Sequence, residues 1–230
     1  MIRKIMLKSG KEITIERLTV DQVDEILELQ QTVIDALTSK SILEPLSKDE
    51  FLFTLNGRGL MIGAYYNEKL IAFRAMLEPE LDEEHLGKDA GLSRSEWPLV
   101  LYSEITNVNP KFRGNNLQVL LGEILMDEVD KNRFRYICAT VAPFNIASLK
   151  DKFAHGLYIV SLKVKYGDLL RYILMKDLSG PLKESSSPES RYTLMANTEE
   201  QQRLLQSGWI GTGIEKTNEK WVVRFEKYEN

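Results

Sequence analysis

Residues 99–156 constrain this chain most. Leu99 to Val108 reads as a strand that Pro110 stops, and Leu117, Leu120, Leu121, Ile124, Leu125 and Val129 then recur on one helical face. Tyr136 to Val141 is a continuous apolar run bounded by polar residues, the pattern of a strand buried on both faces. Pro143 breaks it, Asn145 is placed to cap a helix through Phe153, and Gly156 ends that helix. Strand–helix–strand–helix implies one parallel strand pair, since a parallel partner needs a crossover.

The flanking segments read as hairpins and helices, so the fold expected is mixed α/β. Ser9-Gly10 turns a short hairpin or a single bent strand within 3–18, and Thr19 with Gln22 resembles a capping box opening a helix. A shorter helix is expected from Ser47 to Leu55, ended by Gly57 and Gly59. Leu60–Tyr65 and Leu70–Met76 read as antiparallel strands about Asn67-Glu68. The acidic, turn-rich residues 78–97 read as a loop with at most one helical turn. Leu157–Lys165 and Arg171–Met175 form a hairpin turning at Tyr166-Gly167-Asp168. Residues 179–191, rich in Ser and Pro, read as a linker or mobile loop between a domain at 1–178 and an extension at 192–230. In the extension Thr198 and Gln201 resemble a second capping box. Trp209–Glu215 and Lys220–Lys227 make a hairpin whose Trp221, Val223 and Phe225 alternate. The extension is too small to fold alone and is expected to dock on the main domain or a second subunit.

Composition excludes several function classes. A net charge of −4 with dispersed basic residues argues against nucleic acid as a partner. No apolar stretch approaches the ~20 residues of a membrane span, and the first residues lack the pattern of a signal peptide. One cysteine, Cys138, rules out an intramolecular disulfide and suits a reducing compartment, so the cytoplasm is expected. Two histidines, His85 and His155, with that cysteine are too few for a structural zinc site; no metal is expected. No Gly-x-Ser-x-Gly elbow is present for serine hydrolysis.

Between the strand at Leu99–Val108 and the following helix lies Arg113-Gly114-Asn115-Asn116-Leu117-Gln118. A helix N-terminus offers unpaired N–H groups and a partial positive charge, and little side-chain bulk here lets an anion approach. The run Val108-Asn109-Pro110-Lys111-Phe112-Arg113-Gly114 resembles the strand end and loop of the GNAT superfamily of acyl-CoA-dependent N-acyltransferases. The family loop is Arg/Gln-x-x-Gly-x-Gly/Ala. Pro143-Phe144-Asn145-Ile146-Ala147-Ser148, followed by Gly156-Leu157, is similar to the family's Asn-x-x-(Ala/Ser)…Gly-Phe segment. The resemblance covers roughly three quarters of the chain, from Ile13 to Met175. It implies a GNAT-like, mostly antiparallel sheet with one parallel strand pair, flanked by helices, to which the C-terminal helix and hairpin are added.

The same resemblance implies acetyl-CoA as cosubstrate, its diphosphate held by Arg113, Gly114, Asn115, Asn116, Leu117 and Gln118. Asn145 and Ser148 belong to the pantetheine segment. The backbone at Val108 or its neighbour Asn107 donates to the thioester oxygen, as oxyanion stabilisation requires. Asn116 and Gln118 replace two family glycines, and Lys152 stands where a tyrosine often protonates the leaving thiolate. Backbone N–H groups survive the glycine changes, and asparagine tolerates left-handed φ.

Acetyl transfer needs a neutral amine, yet an alkylamine of pKa ~10.4 is protonated at neutral pH. Glu104, which shares strand parity with Thr106 and Val108, is the candidate base, alongside a plain structural reading as a half-exposed or salt-bridged strand residue. Tyr158 is the candidate acid, with Lys152 and Tyr166 as alternatives; a thiol of pKa ~8.5 also leaves tolerably as thiolate. Cys138 reads as packing, and His155 as a residue complementing a helix end or lying on the surface. The expected function is an N-acetyltransferase acting on a primary amine of a small molecule or peptide, with a homodimer as a possible assembly. The alternatives are a catalytically silent acyl-CoA-binding protein of the same fold, as sensor or assembly subunit, and a module whose 192–230 tail recruits a partner.

Overall fold

The computed structural model describes residues 2–37, 43–180 and 189–228. The chain forms two compact units, Met1–Pro79 with Tyr102–Val129 and Glu80–Leu101 with Asp130–Asn230.

The first unit opens with a hairpin, β1 (Ile2–Met6) and β2 (Glu12–Arg17), paired at Ile5 and Ile13. The expected capping box is formed: the Thr19 side chain accepts from the backbone of Gln22's turn while Gln22 Oε1 accepts from Thr19 N–H at 2.8 Å. It leads into α1 (Val23–Asp35), whose Val23, Ile26, Leu29 and Val33 are buried. A second box, Ser47 with Glu50, opens α2 (Lys48–Phe53), and a wider turn then ends at Gly57, whose φ is +99°. β3 (Gly59–Tyr66) and β4 (Lys69–Leu77) turn at Asn67-Glu68, both with positive φ as a tight hairpin demands. β5 (Val100–Val108) pairs antiparallel with β4.

Adjacent residues on a strand point to opposite faces, and β4 uses both. Phe73 packs edge-on against Phe51 at 5.7 Å, within a cluster holding Ile26, Leu29, Val33 and Ile105. Its neighbour Arg74 reaches instead to α4 (Leu117–Glu128). Helices α1 and α2 thus cover one face of this sheet and α4 the other.

In the second unit, Leu86–Asp89 forms the single-turn α3, and Arg94–Leu99 makes a 3₁₀ turn with a Ser93–Glu96 box that the loop expectation did not contain. β6 (Tyr136–Val141) leads to α5 (Ile146–Ala154), then to β7 (Tyr158–Lys165) and β8 (Leu169–Asp177). β8 pairs antiparallel with both β6 and β7, at Cys138↔Met175 and Tyr158↔Met175.

Most of the 179–191 segment lies outside the described residues. Its last three belong to β9 (Glu189–Leu194), a strand absent from the expectation because Glu189, Ser190, Arg191 and Tyr192 are exposed and only Thr193 is buried. α6 (Thr198–Gln206) is capped by Asn197, whose side chain accepts from Glu200 N–H, not by Thr198. β10 (Ile210–Thr217) and β11 (Lys220–Lys227) pair about Asn218-Glu219, with β11 beside β9 and Gly211 of β10 beside Ile159 of β7. Gln201, fully buried, locks α6 in place: it accepts from Tyr172 Oη at 2.7 Å and donates to Met195 O at 2.8 Å. Both partners of that buried polar pair are satisfied, which is what makes it tolerable.

Candidate active site

The turn between β5 and α4 starts as a 3₁₀ turn, Pro110–Phe112, with Asn109 Oδ1 accepting from Lys111 N–H at 3.0 Å. Phe112 is buried against Tyr66, ring centroids 5.5 Å apart, and fixes the turn to the sheet. The backbone then alternates: Arg113 is extended (ψ 157°), Gly114 has φ +82°, and Asn116 is left-handed at φ 61°, ψ 22°. Gly114 has no Cβ to pay for its φ, and asparagine is among the few other residues that adopt this region readily. Asn116 therefore holds a left-handed position without being glycine. Gln118 lies inside the first turn of α4, as expected.

This turn is open at the right place for an anion. Arg113, Gly114 and Asn116 are exposed, and no atom lies within 4 Å of where a Cβ on Gly114 would sit. Asn115 turns its amide inward, donating to Phe112 O at 3.0 Å, while Asn116 makes no side-chain cap. Among the described residues, the N–H groups of Leu117 and Gln118 have no hydrogen-bond partner. Unused donors at a helix N-terminus, with Arg113 alongside, can bind a diphosphate.

Sequence reasoning missed Arg74. It is 1% exposed, donates from Nη1 to Gln118 O at 2.9 Å and from Nη2 to Ser103 Oγ at 3.1 Å, and so ties the first turn of α4 to β5. It also places a positive charge beside the start of α4. The available signal was an arginine inside the apolar run Leu70–Leu77.

On β5 the register changes the reading of Glu104. Arg74 faces Thr106 but Met76 faces Ser103, so Glu104 and Ile105 together oppose Ala75 in a β-bulge. The parity expected between Glu104 and Thr106 does not survive that extra residue. A bulge re-aims a side chain, and Glu104, half-buried, is one of the two residues it re-aims. Asn107 is buried opposite Phe73, and Val108 stands opposite Ala72 at the end of the strand.

The other candidates belong to the second unit. Asn145 caps α5, its Oδ1 accepting from Ser148 N–H at 3.2 Å, after a left-handed Phe144 (φ 66°). The Asn145 oxygen and the Ser148 N–H thus serve each other. Burial, then the neighbouring Asp177 carboxylate, pushes the Tyr158 hydroxyl up to about 12, so it holds its proton at neutral pH. It stands in register with Met175 and so level with Cys138, short of the Val141 end of β6 from which Asn145 follows. Lys152 is 5% exposed and lies 3.5 Å from Asp151 Oδ2. His155 is the C-cap of α5 and is buried, with Nδ1 2.7 Å from Asp151 O, so it is no surface residue. Burial raises the Cys138 thiol to about 12, which suits packing and not nucleophilic work. Among the described residues no cluster of three or more His, Cys, Asp or Glu could hold a metal, and no helix is long and apolar enough to cross a membrane.

Comparison of the whole chain with solved structures assigns the architecture. The GNAT domain of S. lividans PAT matches at a TM-score of 0.56, with 19% identity over 77% of this chain and 97% of that one. A Salmonella typhimurium protein solved with its cofactor acetyl-CoA matches at 0.54, with 16% identity over 77% and 98%. The ribosomal-protein-S18-alanine N-acetyltransferase from Escherichia coli matches at 0.55, with 17% identity over 76% and 99%. No family model and no curated protein sequence matches the chain. The fold is that of the GNAT acetyltransferases: a mostly antiparallel sheet with one parallel pair, flanked by helices.

Proposed function

We propose that this chain is an N-acetyltransferase that moves an acetyl group from acetyl-CoA to a primary amine of a small molecule or peptide. The observation that carries the reading is the exposed Arg113–Gln118 turn, with Gly114 and Asn116 both left-handed and the first N–H groups of α4 unused. A diphosphate is the ligand such a turn suits. The fold supports the same cosubstrate, since one structural neighbour was solved with acetyl-CoA. Another is by name a ribosomal-protein-S18-alanine N-acetyltransferase, which supports a peptide amine as one acceptor class.

In this reading Arg113 and the N–H groups of Gly114 to Gln118 hold the diphosphate. The backbone at Asn107 and Val108 donates to the thioester oxygen, whose negative charge grows as the amine attacks. Glu104 takes the amine proton directly or through water, and Tyr158 or Lys152 returns a proton to the thiolate. The Asn145 segment receives the pantetheine arm. The cytoplasm is the proposed compartment and a homodimer a proposed assembly, with the 179–191 segment, whose last three residues open β9, joining the 1–178 domain to the 192–230 extension.

The test is a thermal melt with acetyl-CoA. Ligand at ~100 times its dissociation constant should add about 2.7 kcal/mol, and no shift at millimolar ligand sinks the cosubstrate. Thiol release across a panel of amines then measures turnover. Full rate at every pH in Glu104→Gln removes Glu104 as base.

A second reading rests on the buried Lys152, ion-paired to Asp151 where the family often has a tyrosine. It makes the chain a silent acyl-CoA binder. Strong acetyl-CoA binding with no thiol release for any amine favours it.

A further inference from the structure

Asn107 is 1% exposed, and neither its Nδ2 nor its Oδ1 has a hydrogen-bond partner among the described residues. Its setting explains why. It stands opposite Phe73, which belongs to the apolar cluster with Ile105, so the face it shares is lined mainly by apolar side chains. A buried carboxamide left unsatisfied at both ends is costly, and such a group in a folded protein calls for an explanation. Its position supplies one. Asn107 lies just past the Glu104–Ile105 bulge and directly before Val108, on the strand that runs into the Arg113–Gln118 turn.

We propose that the Asn107 side chain is a specificity-determining group that pairs with an amide of a bound substrate. The inference rests on the acyl-CoA reading above and deepens it. A carboxamide that lacks both a donor and an acceptor is satisfied by amide groups, which supply both: a primary amide offers C=O and N–H side by side, and an arm with two secondary amides offers one from each. An ammonium would satisfy only the oxygen and would bring a charge into apolar surroundings. In such surroundings the paired hydrogen bonds are stronger than in water. The carboxamide is buried, so a ligand reaches it by displacing the side chains over it, and two regained hydrogen bonds offset that displacement. Two substrates can bring the amide: the pantetheine arm of the cosubstrate, or an acceptor carrying an amide near its amine.

The experiment compares the wild type with Asn107→Leu and Asn107→Ala. Titration calorimetry is run with coenzyme A and with 3′-phosphoadenosine 5′-diphosphate, which keeps the diphosphate but has no amide. Thiol release from acetyl-CoA is measured with glycinamide and with ethylamine. Without ligand both variants should melt no lower than the wild type. A tenfold or greater loss of coenzyme A affinity with unchanged nucleotide affinity assigns the pantetheine amide. Unchanged coenzyme A affinity with a tenfold rise in KM for glycinamide, and none for ethylamine, assigns the acceptor. Coenzyme A binding equal to wild type together with unaltered amine kinetics overturns the proposal and leaves the acyl-CoA reading standing. If the wild type itself does not bind coenzyme A, both fall. Should the variants fail to fold, the Asn107 side-chain amide signals of the wild-type protein decide: no shift on adding coenzyme A or glycinamide overturns the pairing.

Discussion

The chain makes the same local construction twice and finishes it differently. β5 runs through Pro110 into α4, and β6 runs through Pro143 into α5; each turn contains a left-handed non-glycine residue, Asn116 in one and Phe144 in the other. At α5 the Asn145 side chain turns back on its own helix and occupies Ser148 N–H. At α4 the capping residue, Asn116, spends no side-chain hydrogen bond on the helix, and the first N–H groups stay open. One helix N-terminus is capped from within; the other is left open and is held by Arg74 through Gln118 O. An asparagine before a helix is therefore not a role in itself. Its φ decides whether it caps the helix or exposes it.

The comparison breaks most visibly at Arg74. Arg74→Ala removes two charge-assisted hydrogen bonds of about 1.5–3 kcal/mol each, so urea unfolding should show a loss of roughly 3 kcal/mol or more. Acetyl-CoA affinity should fall with it, because the first turn of α4 loses its tether. At Asn116 the substitution to valine should cost about 1–2 kcal/mol, since a β-branched residue pays the full left-handed penalty. Asn116→Gly should keep both stability and ligand binding. Equal binding by the valine and glycine variants, measured calorimetrically, would show that the left-handed turn is irrelevant to the ligand.

Smaller effects are expected on the self-capped side. Asn145→Ala should cost about 1 kcal/mol in a thermal or urea melt, the usual value of a lost cap. A much greater loss of acetyl-CoA affinity than of stability would show that Asn145 also serves the ligand. Phe144→Gly should be the mildest change, relieving a left-handed φ of 66° against the greater chain entropy of glycine, for a net change of about 1 kcal/mol or less. Phe144 is exposed, so no cavity is created.

Much of the fold was legible because each signal was local. The Thr19–Gln22 box, the Asn67-Glu68 turn and the apolar run Tyr136–Val141 each depend on residues a few positions apart. β9 was illegible because it is an exposed strand with a polar sequence, held by pairing with β11 some thirty residues on, as at Arg224↔Tyr192. Thr198 with Gln201 and Asn197 with Glu200 fit the capping spacing equally well, and only the backbone distinguishes them.

The sequence by itself determined where most strands and helices lie and where the open turn before α4 stands, since period, proline and glycine act within a few residues. Tertiary structure alone decided the surroundings of that turn. It inserted the bulge that re-aims Glu104, brought Arg74 under Gln118 across 44 positions, and enclosed Asn107 with no hydrogen-bond partner among the described residues. Those outcomes depend on strand register and on which face a helix covers, and both are settled by burial summed over the whole sheet.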